Sequence, residues 1–178
     1  MIVREATPSD IPAISRVHVD TWRTTYHGIV PDEVLANLSY KKRENGWRQV
    51  FNNAPKDHGF TYVAEDESGQ IVGFANAGVE RTGHPVYQGE LNAIYILKSH
   101  QQKGIGRELV QTVVQRLGQM EIHSMLVWAL ADNPACRFYE MLGGQKVNKK
   151  EIEMKGTKMI EIAYGWTDTS NLQCSRVI

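Results

Sequence analysis

The chain has 178 residues, and its 20 lysines and arginines balance 20 aspartates and glutamates, so the formal net charge is zero. That balance excludes bulk attraction to nucleic acid or an anionic membrane, though not a local basic site. Its length suits one domain, expected over residues 1–166 with a tail at 167–178, and such a chain buries about two-thirds of its unfolded surface without staples.

Two cysteines, Cys136 and Cys174, form no CxxC pair and no disulfide framework, which suits a reducing compartment. The opening "MIVREATPSD" lacks the apolar core of a signal peptide. No apolar run approaches the roughly 20 residues of a membrane span. A cytoplasmic location is the expectation.

In chain order, "MIVREA" reads as a strand. Thr7 as N-cap, Pro8 in the first turn and Asp10 three residues after the cap start an amphipathic helix carrying Ile11, Ile14, Val17 and Trp22. A turn at Gly28 to Pro31 leads into one or two helices ending near Phe51, with Asp32 as a cap. After "NNAPKDHG", the runs "FTYVAED" and "IVGFANAGVER" form a hairpin about "ESGQ". "TGHPVYQG" is a loop, and "ELNAIYIL" is apolar enough for the middle of a sheet.

From Gly104 to Leu117 the positions Ile105, Leu109, Val110, Val113, Val114 and Leu117 make one helical face. "SMLVWALA" is a buried strand. "NPACRFYEMLGG" is a helix with Asn133 as cap, Pro134 in its first turn and glycine past its end. "QKVNKKEIEM" and "KMIEIAYGW" form a long hairpin closed at Lys155 to Thr157, and "TDTSNLQCSRVI" is a loose tail. The order β-α-α-β-β-β-α-β-α-β-β implies a mixed α/β layer structure rather than a doubly wound sheet.

The segment "QQKGIGREL" places two glycines where a strand gives way to a helix. The first helical turn leaves N–H groups unpaired and partly positive, so an anion is their natural partner. Glycine lets a ligand touch the main chain, and Lys103 and Arg107 add charge. A P-loop does not fit Gly104-Ile105-Gly106-Arg107, and a dinucleotide fingerprint fails at Leu109. A Q/R-x-x-G-x-G/A pattern after a strand is matched by Gln101, Gly104 and Gly106.

On these residues the chain resembles the GNAT superfamily of acetyl-CoA-dependent N-acetyltransferases. "LNAIYILKSHQQKGIGRELVQTVV" is similar to its acetyl-CoA signature, and "VWALADNPACRFYEMLGGQKV" to its second segment. The element order matches over residues 2–166. Lys98, where the family often has proline, departs from the pattern.

The resemblance implies an α+β mixed sheet, mostly antiparallel, splayed in the middle and flanked by helices. It implies that Gln101, Gln102, Lys103, Gly104, Ile105, Gly106 and Arg107 hold the CoA pyrophosphate, mainly through main chain. Ile94, Tyr95 and Ile96 then pair with the pantetheine arm, with Asn133 and Arg137 beside it. Tyr139 matches the family tyrosine near the thioester sulfur, where a phenol can return a proton to the departing thiolate. Glu90, opening its strand, is the expected base for the acceptor amine, with Asn92 on the same strand face.

Trp22, Tyr26 and His27 would cover the acceptor, and "ERTGHPVYQG" would form a second wall. The implied reaction is direct attack of a primary amine of a small molecule or peptide on the acetyl-CoA thioester. Zero net charge disfavours a strongly acidic acceptor cleft, hence polycations. The resemblance also implies a homodimer through the C-terminal hairpin.

A non-catalytic acyl-CoA sensor is the competing class, against which Tyr139 and Glu90 speak. His18, His27, His58, His84, His100 and His123 are scattered without HExxH spacing, so no metal site is expected. There is no G-x-S-x-G elbow, and Cys136 reads as a packed thiol.

Overall fold

The computed structural model describes residues 1–173. Residues 174–178, including Cys174 and the end of the expected tail, lie outside the described residues. The strands are β1 (Ile2–Glu5), β2 (Phe60–Glu65), β3 (Ile71–Val79), β4 (Gly89–Ile96), β5 (Met125–Leu130), β6 (Gln145–Met154) and β7 (Thr157–Trp166). They form one seven-stranded sheet in the order β1-β2-β3-β4-β5-β7-β6. β4 and β5 are parallel and every other neighbouring pair is antiparallel, which is the expected mixed sheet.

The helices are α1 (Ile11–Thr25), α2 (Asp32–Ala36), α3 (Tyr40–Asp57), α4 (Ile105–Gln119) and α5 (Ala135–Met141). α4 lays Leu109, Val113 and Leu117 against one face of the sheet, where they pack with Leu91, Met125 and Val127. α1 covers the other face with Ile14 and Val17, which pack with Trp47 of α3 and Phe74 of β3. Two faces covered by apolar stripes make β3 buried along nearly its whole length.

Several local expectations need correction. The region after Pro31 holds two helices, and Asp32 is the first residue of α2 rather than its cap. α3 does not stop at Phe51 but runs to Asp57 with Pro55 inside it. Proline removes one internal N–H, a small loss in a last turn that ends at His58 with φ 52°. The tail is not loose where it is described: Thr169–Gln173 forms a 3-10 turn docked on α4. Its Thr169 N–H donates to the His123 carbonyl at 2.8 Å, and Leu172 is buried in the α4 core.

At the start of α1, Asp10 accepts from the Thr7 N–H at 2.7 Å and from Arg4 Nη1 at 2.8 Å. The Arg4 hydrogen bond leads in holding its pKa down to about 2. His18, one turn into the buried face, accepts from Trp47 Nε1 at 3.2 Å and stacks on Tyr95 at 4.8 Å between ring centroids. Burial, aided by the charge of Arg43, pushes its pKa down to about 3.

The unfolded chain therefore takes up the His18 proton below pH ~6.5 while the folded one resists it to about pH 3. Stability present above pH ~6.5 is lost as pH falls, reaching on the order of 3 kcal/mol by pH 4. Asp10 adds its own loss only below about pH 4. Urea midpoints measured at pH 7 and pH 4 should show this fall in the wild type. His18→Gln, which keeps an acceptor for Trp47, should flatten it; an equal slope in the variant would remove His18 as the cause.

Candidate functional site

β4 and β5 are in register only from Gly89–Met125 to Leu91–Val127. Beyond that, β4 stays with β3 as far as Ile96, and β5 stays with β7 as far as Leu130. The two parallel strands therefore part, and the edge of β4 from Asn92 to Ile96 faces a gap. An extended ligand arm can pair with such an edge as an added strand.

A bulge sits at the point of parting. Ala77 faces Leu91 and Asn76 faces Ala93, so Asn92 is the extra residue. One extra residue inverts the strand's alternation. Ile94 and Ile96 consequently pack toward α4, while Tyr95 joins Glu90 on the opposite side. Asn92 donates to Asn76 Oδ1 at 3.1 Å and lines the same cavity as Glu90.

On the α4 face, the glycine turn closes the end of β4. Gln101 Nε2 donates to the Ile96 carbonyl at 3.0 Å, so this side chain ties turn to strand. Gly104 has φ 83°, a conformation that suits glycine. The Glu108 N–H reaches back to the Gly104 carbonyl at 3.1 Å, and α4 begins there. The N–H groups of Ile105 and Gly106 thus stand in the first turn, at the positive end of a 15-residue helix. A Cβ on Gly106 would lie 3.2 Å from both Ile96 Cδ1 and Phe138 Cζ. Glycine here lets α4 sit close against β4 and α5. The turn is exposed, as is Lys103, and Arg137 is half-buried; the free N–H groups of such a helix start suit an anion.

On the other face lies a cavity of about 230 Å³. α1 contributes Trp22, and the residue that ends it is Tyr26; their rings meet at 4.6 Å. The loop after β3 contributes Arg81, β4 contributes Glu90, Asn92 and Tyr95, and β5 contributes Trp128. The β6–β7 hairpin folds over with Lys150, Met154 and Glu161. Of the expected cover, Trp22 and Tyr26 are present, whereas His27 is exposed and outside the lining.

Glu90 is 3% exposed rather than an open strand end. Its Oε1 accepts from Arg81 Nη2 at 2.7 Å, and its Oε2 from Arg81 Nε at 3.1 Å and the Arg81 N–H at 3.4 Å. A carboxylate offers about four acceptor positions, so capacity remains on Oε1 for a water or an amine in the cavity. Arg81 comes from "ERTGHPVYQG", the loop expected as a second wall, whereas Trp128, Lys150 and Glu161 were not anticipated from sequence. The only hint was polar alternation in "QKVNKKEIEM", which gives no sign of where the hairpin folds.

Three phenols converge on the gap from separate elements. Tyr26 accepts from Asn133 Nδ2 at 3.0 Å, and its hydroxyl also interacts with that of Tyr95. Tyr139 in α5 lies within electrostatic range of Tyr95. Its ring packs on Phe138 at 5.6 Å and Tyr164 at 5.7 Å. Burial pushes the Tyr139 phenol well above its ordinary range, and Tyr26 likewise. Asn133 also caps α5, since its Oδ1 accepts from the Ala135 N–H at 2.9 Å. Cys136 is half-buried, and its thiol is directed at the Leu130 carbonyl at 3.3 Å.

A model of the acetyltransferase (GNAT) family matches residues 19–143. The chain is 39% identical over 171 residues to the uncharacterized N-acetyltransferase YuaI of Bacillus subtilis (strain 168), covering 96% of this chain and 95% of that one. Its fold is similar to ribosomal-protein-alanine N-acetyltransferase from Brucella melitensis, with TM-score 0.73 and 23% identity over 93% of this chain and 99% of that one. It is also similar to PaiA N-acetyltransferase from Thermoplasma acidophilum, solved with coenzyme A, at TM-score 0.68 and 16% identity over 90% and 96% of the two chains. The matched segment holds the parted strands, the glycine turn and the tyrosine helix, and the curated relative aligns along nearly its whole length, so this chain belongs to the GNAT family and is an N-acetyltransferase.

Proposed function

We propose that the enzyme moves an acetyl group from acetyl-CoA to a primary amine of a small molecule or peptide, by direct attack of the amine on the thioester. One observation carries this reading. β4 and β5 part between the N-terminus of α4 on one face of the sheet and a charged, aromatic cavity on the other. Acetyl-CoA supplies the activated acetyl group and a thiol leaving group.

The main chain from Gln101 to Arg107 would hold the pyrophosphate, and Ile94 to Ile96 would pair with the extended arm. Asn133 and Arg137 flank that arm. Tyr139 would donate to the sulfur as charge develops there. A thiol's reference pKa is about 8.5, below that of a phenol raised by burial. Tyr139 thus stays protonated at neutral pH and is available as a donor when charge develops on the sulfur.

Glu90 would take the amine's proton, directly or through water on Oε1. Without it, the amine must lose its proton to solvent, and free alkyl amines titrate near 10. Glu90→Gln is therefore expected to move the acidic limb of the kcat/KM profile upward by about one pH unit or more. A superimposable profile would mean that water alone suffices. The exposed β6–β7 hairpin is the contact this reading assigns to a homodimer, which sedimentation would test.

The test of the function is calorimetric titration with acetyl-CoA, followed by thiol release with a panel of amines. Micromolar binding and amine-dependent release are expected. No binding at millimolar acetyl-CoA, or release that no amine stimulates, would overturn the reading.

A further inference from the structure

The acceptor cavity carries two ion pairs built the same way. Glu90 pairs with Arg81 at 2.7 Å, and the side chains are 4% and 69% exposed respectively. Glu161 pairs with Lys150 at 3.2 Å, with exposures of 22% and 49%. In each pair the carboxylate lies inside and the cation outside. The cavity is therefore negative in its depth and positive at its rim, although its formal charge sums to zero.

A charge arrangement of this kind orients a ligand. An amine that enters as an ammonium is drawn toward the inner carboxylates, above all the buried Glu90. A second cation on the same molecule would be left against Arg81 and Lys150, at a cost from like-charge contact. An anionic group there would be attracted. The two cations are not equal in this respect. Arg81 gives Nε, Nη2 and its own N–H to Glu90. Lys150 carries three donors, Glu161 engages its ammonium through Oε2, and the charge sits 4.1 Å from the centroid of the Trp128 ring. The ring steadies the ammonium at the rim without consuming a donor. Trp22, Tyr26 and Met154 supply apolar surface for the rest of the ligand.

We infer that the acceptor is a small zwitterion, an amine that also bears a carboxylate or similar oxyanion, and that Lys150 over Trp128 binds the anionic group. The inference rests on the acetyl-transfer reading above and adds the class of acceptor. It distinguishes amino acid-like acceptors from polyamines and from peptide N-termini, which present no anion close to the amine.

The experiment uses the wild-type enzyme and matched pairs that differ only by a carboxylate: phenylalanine with phenethylamine, methionine with 3-(methylthio)propylamine, and spermidine as a polycation. Thiol release is followed, and each kcat/KM is corrected for the fraction of unprotonated amine. The acid of each pair should exceed its amine by about tenfold or more, as expected for a charge-assisted contact. Lys150→Met should raise KM for the acid by about tenfold with less effect on kcat, and Lys150→Arg should restore most of the preference.

Equal or better turnover of the decarboxylated partners, or a preference for spermidine, would overturn the zwitterion inference and leave acetyl transfer standing. An unchanged preference in Lys150→Met would overturn the assignment to Lys150. Acetyl-CoA binding with no transfer to any of these amines would sink both readings together.

Discussion

Tyr139→Phe is expected to lower kcat by about 100-fold while the Kd for acetyl-CoA stays within a factor of about two. The substitution removes one oxygen and keeps the ring, so the contacts with Phe138 and Tyr164 persist. Tyr139 is 4% exposed and packed in the α4 core, and phenylalanine fits that site without a cavity. On the proposed mechanism, what is lost is the hydroxyl that would donate to the leaving sulfur. Such a donor acts in the transition state and not in the bound ground state, so the loss appears in kcat. Steady-state rates combined with calorimetry separate the two quantities. Full turnover in the variant would take Tyr139 out of the mechanism, and parallel loss of rate and affinity would make it a packing residue.

Gly106→Val is expected to weaken acetyl-CoA binding by more than tenfold, which is about 1.4 kcal/mol or more. The Cβ alone would stand 3.2 Å from Ile96 Cδ1 and Phe138 Cζ, and the two methyls of valine reach further. The first turn of α4 must then move away from β4, and with it the N–H groups proposed to hold the pyrophosphate. Gly118 lies in the same helix, and a Cβ there would meet nothing within 4 Å. Gly118→Ala therefore serves as the control: it should leave affinity unchanged and stabilise the fold by up to ~1 kcal/mol. Calorimetry paired with urea unfolding distinguishes a displaced turn from an unfolded protein. Unchanged affinity in a folded Gly106→Val would remove the glycine turn from the cofactor site.

Much of the framework was legible because its causes are local. The stripe Ile105, Leu109, Val113, Leu117 reports a helix whatever it packs on, and α4 spans Ile105–Gln119 as that spacing implies. The two glycines of "QQKGIGREL" announce a left-handed turn and a close approach within three residues, and both are found there. Asn133 signals a helix start through a contact only two residues away. The tail was misread because a short polar run gives no sign that Leu172 will find the face of α4.

The acceptor side was hidden for a different reason. Asn133 reaches Tyr26 across 107 positions in the chain, and Arg81 reaches Glu90 only because the loop after β3 returns over β4. Strict alternation along "ELNAIYIL" would set Glu90 and Tyr95 on opposite faces, and a single bulge at Asn92 reverses that phase. Whether a strand carries such a bulge depends on its neighbour's register, which no pattern in one strand contains. Helices, strands and the glycine turn thus follow from contacts among residues a few positions apart. The parting of β4 from β5, and the inward carboxylates with outward cations, follow from long-range pairing of strands and side chains that exists only once the sheet is assembled.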